Sequence, residues 1–547
     1  MAIWILSPFF GGMSMLIRYL LNGLEKEANK SNEDLTIIEQ NANNQLKISV
    51  LALKPLKLLT AKMDSSYQVK KDDLMFLNGY QSWTDTHLAD LKYKEIDIRR
   101  IPKFIMNKYG LDQYGDNHIY DYNKNYVHGF DIFYTQNYFV YNRNYDNAYL
   151  IISVDRRDGK ISFISDVNNK ELQKNAEFMI FDMAIYNSYQ EGEKAFYAEF
   201  NNKSKKIFGY TSWYNYYQNI NEEIILRDLS FLDKRFDLFQ IDDGYETFVG
   251  DWMDIDPNKF PNGLKPIVDK IHSKGLKAGV WLAPFVCETK SKIFNEHPDW
   301  IRKENGKILI CGGNWSGFYA LDLEKPEVIK YIEDCFNYFK DLGFDFFKLD
   351  FLYASNLPTY KGLTRAMQTS KYYQFLRDCL DQKMILGCGA NMFNAYNLFD
   401  YMRIGPDVSL RFDDIWLMRH LHRERISTKV TLKNTVFRSI FNGHLFGNDP
   451  DVFLLRDENM WMSKENRHAL ITLNALFGSV FFTSDNLGNY DQDKKDELNY
   501  ALDLLYNAKD VKYYLNKHFI NVSYHLNNQE VKFSYDTKKG VILNGKK

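Results

Sequence analysis

The sequence predicts a multidomain fold class: an N-terminal β-sandwich, a central (β/α)8 TIM barrel and a small C-terminal β domain. Three observations carry that expectation. Short alternating runs broken by Asn, Asp and Gly fill roughly the first 200 residues. From about residue 205, apolar runs of roughly five to seven residues alternate with amphipathic stretches of roughly ten to eighteen. Alternating runs then return near the carboxyl end. A chain of 547 residues has room for several such units.

Residues 1–203 are assigned to the sandwich because runs such as LKISVLAL and AYLIISV have a period of two, and no long 3.6-residue period follows the first 30 residues. Residues 204–490 are assigned to the barrel. Its eight apolar runs are KIFGYTSW, FDLFQIDD, KAGVWLAP, FDFFKLDF, MILGCGAN, YMRIGPD, a short piece around HLFGND, and SVFFTSD. Parallel strands buried on both faces lack clean alternation, as these do. In PEVIKYIEDCFNYFKDLG, Pro326 suits the first helical turn, and Val328, Ile332, Cys335, Phe336, Phe339 and Leu342 form one stripe. Gly343 then sits where a left-handed C-cap is wanted. LKPIVDKIHSKG repeats the scheme with Leu264, Val268, Ile271 and a stop at Gly275. Residues 491–547 read as one helix, ELNYALDLLYNA, followed by strands such as FINVSYHL and VKFSYD.

Lys and Arg number 69 against 71 Asp and Glu, a net charge of −2, so nothing attracts the chain to nucleic acid or to a membrane surface. The five cysteines, Cys287, Cys311, Cys335, Cys379 and Cys388, are an odd number with no CxxC. With no HExxH either, neither a disulfide framework nor a metal site is expected, and the compartment reads as reducing. The amino end, MAIWILSPFFGGMSML, has no basic residue ahead of its apolar stretch, and Pro8, Gly11 and Gly12 interrupt it, unlike a signal peptide. No run of 18 apolar residues spans a bilayer, so a soluble cytoplasmic protein is expected.

Active sites of such barrels lie at the carboxyl ends of the strands, so the polar residues ending each run are the ones to collect. They are Asp242 and Asp243, Lys348 and Asp350, Cys388, Arg403 and Asp407, Asp449 and Asp451, and Asp485, with Trp213 and Trp281 ending the first and third runs. Lys348 and Asp350 are two apart and leave a strand on the same face, so the cation is expected to keep Asp350 ionised, as a nucleophile requires. Asp407 follows Gly405 and Pro406, which turn the chain off its strand and hold the carboxyl over the mouth. Taken singly, such aspartates are ordinary turn or helix-capping residues. Two carboxylates beside exposed tryptophans, with few histidines, fit glycoside hydrolysis best, and fit a divalent-metal hydrolase or isomerase less well.

At these residues the sequence resembles glycoside hydrolase family 36, the bacterial α-galactosidases. The shared motifs are GYTSWYNYY, IDDGYE followed by GDW, FPNGLKPIVDKIHSKGLKAGVWLAPF, NEHPDW, NWSGFYALDLEKPEV, FFKLDF, ILGCGAN, MRIGPDV and GNDPD, from about residue 207 to 455, with NGYQSW at 78–83. The resemblance implies a retaining exo-glycosidase acting on α-galactosides such as melibiose and raffinose, with Asp350 as nucleophile and Asp407 as acid/base. It places Asp242, Asp243, Trp281, Lys348, Cys388, Gly389 and Arg403 around the sugar, and brings Trp83 from the amino-terminal part to wall the site. It implies no cofactor and is compatible with a homo-oligomer. Two alternatives on the same fold are α-galactosyl transfer to sugar acceptors and α-N-acetylgalactosaminidase action. The chain departs from the family pattern in VSLRFDDIW, with Arg411, Asp413 and Asp414, in the AlaAsnMetPhe after ILGCG, and at Val452, where the family often has Cys. These departures put linkage and leaving-group preference in play.

Overall fold

The computed structural model describes residues 14–543 except 112, 116–118, 121, 168–169, 305, 358–359, 416–418 and 420–421. Most of the amino-terminal apolar stretch, and Trp416 of VSLRFDDIW, therefore lie outside the described residues.

Two seven-stranded antiparallel sheets occupy the amino-terminal part. Their inward residues alternate as the period of two requires: Gln45–Ala52 buries Leu46, Ile48, Val50 and Ala52 on one face. These side chains share a single apolar core with Ile17, Leu58, Ala61, Ile152 and Val154 of the other sheet. Helices are sparse here, Lys103–Tyr109 and Tyr189–Glu199.

A nine-stranded parallel sheet follows and curls back on itself. Eight of its strands, taken in chain order, are Ile207–Thr211, Leu238–Ile241, Lys277–Leu282, Phe346–Leu349, Met384–Gly387, Tyr401–Arg403, Gly447–Asp449 and Val480–Thr483. We refer to them as strands one to eight. Each pairs with the next as far as strand seven, and strand eight returns to pair with strand one, Ile207 against Val480. Across the remaining seam the Ser479 N–H donates to the Asn448 carbonyl at 2.8 Å. The ninth, Val452–Phe453, adds to strand eight.

The helix expected from PEVIKYIEDCFNYFKDLG runs from Pro326 to Leu342 and buries Val328, Ile332, Cys335, Phe336 and Phe339. Gly343 closes it at φ 100°, in the left-handed region that a side chain would strain. The expectation of a helix at every crossing fails between strands five and six, where the described residues form only the 3₁₀ turn Phe393–Ala395. The physical reason is cover from elsewhere. Asn394 donates to the Tyr145 carbonyl at 2.8 Å and Asn391 to the Tyr80 carbonyl at 3.1 Å, so the amino-terminal sheets shield this flank.

Beyond strand eight, helix Gln492–Asn507 leads into a four-stranded antiparallel sheet whose middle strands, Phe519–Leu526 and Gln529–Asp536, hold the two runs read from the sequence. Among the described residues no helix is long and apolar enough to cross a membrane.

Candidate active site

Because all eight strands are parallel, their carboxyl ends open on one mouth. Strand four delivers Lys348 buried and, just past it, Asp350. The Asp350 carboxylate accepts the Trp281 indole N–H at 3.0 Å and the Phe351 backbone N–H at 2.8 Å. Lys348 does not pair with it. Its Nζ lies 2.7 Å from Asp242, which also accepts from Thr211 and Gln240 at the ends of strands one and two. Burial opposes ionisation of Asp242, but the Lys348 charge and these donors outweigh it and hold the carboxyl below its ordinary range. Asp350 behaves in the opposite way from the expectation drawn from spacing. Burial pushes its carboxyl up to about 6, Lys348 opposes at a distance, and the charge on Asp407 pushes it further. One lysine cannot hold two carboxylates down equally when it touches only one.

Strand six and its turn deliver Arg403 and Asp407. The buried Arg403 guanidinium lies 2.9 Å from Asp407, 2.9 Å from Asp449 and 2.9 Å from Asp451. Asp407 is thus an arginine partner facing the mouth rather than a cap for helix Thr428–Phe437, whose N-cap is Ser427. Burial pushes Asp451 up to about 7, against Arg403, with Asp407 and Asp449 adding to the rise. Tyr214 donates its hydroxyl to Asp451. The last acid on the sequence list, Asp485, is spent on Arg456 at 2.9 Å and on the Tyr490 hydroxyl at 2.7 Å.

Asp350 follows strand four and Asp407 lies on the turn after strand six, the two strands that flank strand five. Strand five contributes Cys388, a buried thiol that burial keeps neutral, and Gly389 at φ 57°. A Cβ on Gly389 would meet the Trp83 ring at 2.9 Å. That missing side chain is what admits Trp83, whose ring also stands edge-on to Phe351 with centroids 5.3 Å apart. Trp83 of NGYQSW thus lies against Gly389 and Phe351.

Trp281 differs from the reading of it as an exposed stacking face. It is 2% exposed and holds Asp350 with its N–H. Trp315, like Trp83 and Trp213, is partly exposed, and sequence reasoning did not single it out although it lies inside NWSG. Its indole donates to Asp243 at 2.8 Å, and Gln218 donates to both oxygens of the same carboxylate at 3.1 Å. Trp315 is carried on a three-stranded excursion, Val286–Glu288, Ile310–Gly312 and Phe318–Ala320, between strand three and helix Pro326–Leu342. Glu246 also went unnoticed; it is buried with Asp243, and burial and that neighbour push its carboxyl up. One signal was available only in the backbone. Tyr217, Trp315, Phe351 and Asp451 all take positive φ, 50–74°, a costly choice for residues with side chains that concentrates at functional sites. Of the departures, Asp413 is gathered by Ser427, Arg425, Arg419 and Lys429, and Arg411 lies over the Trp461 ring.

A profile of the Melibiase family matches residues 186–381, from the end of the amino-terminal sheets through strand four and the helix after it. The resemblance to glycoside hydrolase family 36 holds. An α-galactosidase of Escherichia coli is 36% identical over 101 residues, 17% of this chain and 14% of that protein. The α-xylosidase XylQ of Lactiplantibacillus pentosus is 29% identical over 166 residues, 28% of this chain and 21% of the relative. The chain therefore aligns with well under two thirds of these curated relatives. In fold, the α-galactosidase TtGalA of Thermus thermophilus, solved with stachyose, superposes with a TM-score of 0.68 at 23% identity, over 89% of this chain and 99% of that one.

Proposed function

We propose that the chain is a retaining exo-α-galactosidase that releases terminal α-linked galactose from oligosaccharides such as melibiose and raffinose. What supports this reading is that Asp350, just past strand four, and Asp407, on the turn after strand six, both follow the carboxyl ends of strands that flank strand five. Asp350 attacks the anomeric carbon as the C1–O bond breaks, and the Asp407 proton passes to the departing oxygen. Water then adds to C1 as Asp407 takes back its proton, and the Asp350 ester is released. The Trp281 and Phe351 N–H groups orient the attacking carboxylate, while Arg403 holds Asp407 over the leaving group. Asp242 and Asp243 accept sugar hydroxyls, with Lys348, Trp315 and Gln218 fixing them, and Trp83, Cys388 and Gly389 shape the opposite wall.

The circular strand order supports a closed (β/α)8 barrel for residues 204–490, between a sandwich at 1–203 and a small β domain at 491–547. Five free cysteines, four of them buried, fit a reducing, cytoplasmic setting. NMR of the sugar first formed from nitrophenyl α-galactoside tests the mechanism: α-galactose is expected, and β-galactose refutes double displacement. Because XylQ is among the relatives, nitrophenyl α-xyloside belongs in the same assay. Faster turnover of the xyloside would reassign the sugar while leaving the acid pair in place. Product analysis with N-acetylgalactosaminide substrates and with added sugar acceptors separates the two remaining activities on this fold.

A further inference from the structure

Arg438 is 0% exposed, yet among the described residues no carboxylate lies within ion-pair distance of it. Burying a guanidinium is expensive unless its donors are all met. Here four hydrogen bonds to neutral oxygens, drawn from two distant segments, reach all three of its nitrogens. Nε donates to the Asn78 side-chain oxygen at 3.1 Å, one terminal nitrogen to the Ser82 carbonyl at 2.5 Å and the Ile404 carbonyl at 2.8 Å, and the other to the Gln81 carbonyl at 3.1 Å. Gly79 makes room for this packing, since a Cβ there would meet Thr84 at 2.4 Å and Arg438 at 3.0 Å.

Both segments lead to the reacting groups. The 78–82 loop continues into Trp83, whose ring abuts Gly389 and Phe351, the neighbour of Asp350. Ile404 follows Arg403 and opens the turn that ends at Asp407. We propose that Arg438 is a positioning residue: by tying the NGYQSW loop to the 403–407 turn, it fixes the distance between the Trp83 wall and Asp407, and so the width of the sugar pocket. The inference rests on the α-galactosidase reading for its kinetic consequence but not for its geometric one. A lysine keeps the charge, but its three N–H donors sit on one nitrogen and cannot meet all four of these acceptors.

The full chain is compared with Arg438→Lys, Trp83→Ala, the double variant, and Trp83→Phe in both backgrounds. With nitrophenyl α-galactoside, Arg438→Lys is expected to lower kcat/KM by about 10- to 100-fold, the usual cost of a small misplacement. In the Trp83→Ala background the further loss should shrink to about threefold or less, because the two act through one wall. The fluorescence of Trp83, isolated as the difference from the Trp83→Phe proteins, should become more open to acrylamide quenching in Arg438→Lys. Losses that multiply, or an unchanged Trp83 signal, would overturn the proposal. Should Arg438→Lys fail to fold, Asn78→Ala removes one acceptor without touching the charge, and wild-type kinetics and quenching there would overturn it equally. A wild-type protein inert toward α-galactosides, with the quenching change intact, would refute the substrate reading and leave the clamp standing.

Discussion

On one side of the mouth Lys348 serves Asp242 at 2.7 Å, and Asp350 is left with an indole and a backbone N–H. On the other, a single arginine serves Asp407, Asp449 and Asp451 at 2.9 Å each. The first side divides its donors so that one carboxylate is held ionised and its neighbour is pushed up to about 6. The second spreads one charge over three acids, and burial pushes one of them, Asp451, up to about 7. The lesson is that a cation's proximity in sequence does not decide which acid it serves.

The largest effect expected from breaking this arrangement is at Asp350. Asp350→Ala should lower kcat by roughly 10⁴-fold or more, since a nucleophile and its partners act as a unit. Steady-state rates with nitrophenyl α-galactoside check it, and normal turnover would remove Asp350 from the reaction. Asp407→Asn should cost about 10²- to 10⁴-fold, the range for general acid-base catalysis, and should erase the alkaline limb of the pH profile. A retained alkaline limb would assign the proton to another group.

Stability separates the two sides next. Arg403→Met leaves three carboxylates facing one another without a cation, and removal of one partner from a buried pair costs about 3–5 kcal/mol. Lys348→Met orphans Asp242 alone, so its loss should be the smaller of the two. Urea unfolding at pH 7 and pH 4 measures both, and each deficit should shrink at the lower pH, where the orphaned acids can take up protons. Equal losses for the two variants would mean that Arg403 is not shared in the way its contacts imply.

Much of this was legible in the sequence because it depends on local period and punctuation. Pro326 and Gly343 bracket a helix through φ preference alone, and the run FINVSYHL alternates because its strand has one covered face. Asp350 and Asp407 were legible because each ends an apolar run that becomes a strand of the parallel sheet. What stayed hidden depends on contacts between segments far apart in the chain. Nothing in KLD says that Lys348 will turn to Asp242 on strand two, and nothing in NWSG says that an excursion will fold Trp315 back onto Asp243. The missing helix between strands five and six was equally unreadable, because its place is taken by backbone from the amino-terminal sheets.

The smallest and most discriminating effect concerns the Trp281 indole. With its folded value raised to about 6, from the ordinary carboxylate value near 3.9, Asp350 binds its proton more tightly folded than unfolded. Its contribution to stability is therefore present below pH of about 4 and is lost as pH rises through about 6. The melting temperature of Asp350→Asn should accordingly gain on the wild type between those limits, and a constant difference would contradict the raised value. In the reaction proposed above, where the ionised Asp350 attacks, the same titration sets the acid limb of kcat/KM. Trp281→Phe deletes a donor that favours the ionised form, and hydrogen bonds to charged groups are worth about 1.5–3 kcal/mol, so the acid limb should move up by about one unit. A stationary limb in a folded variant would mean that Lys348, acting through space, sets the ionisation of Asp350 despite its contact with Asp242, and the division of donors between the two acids would have to be redrawn.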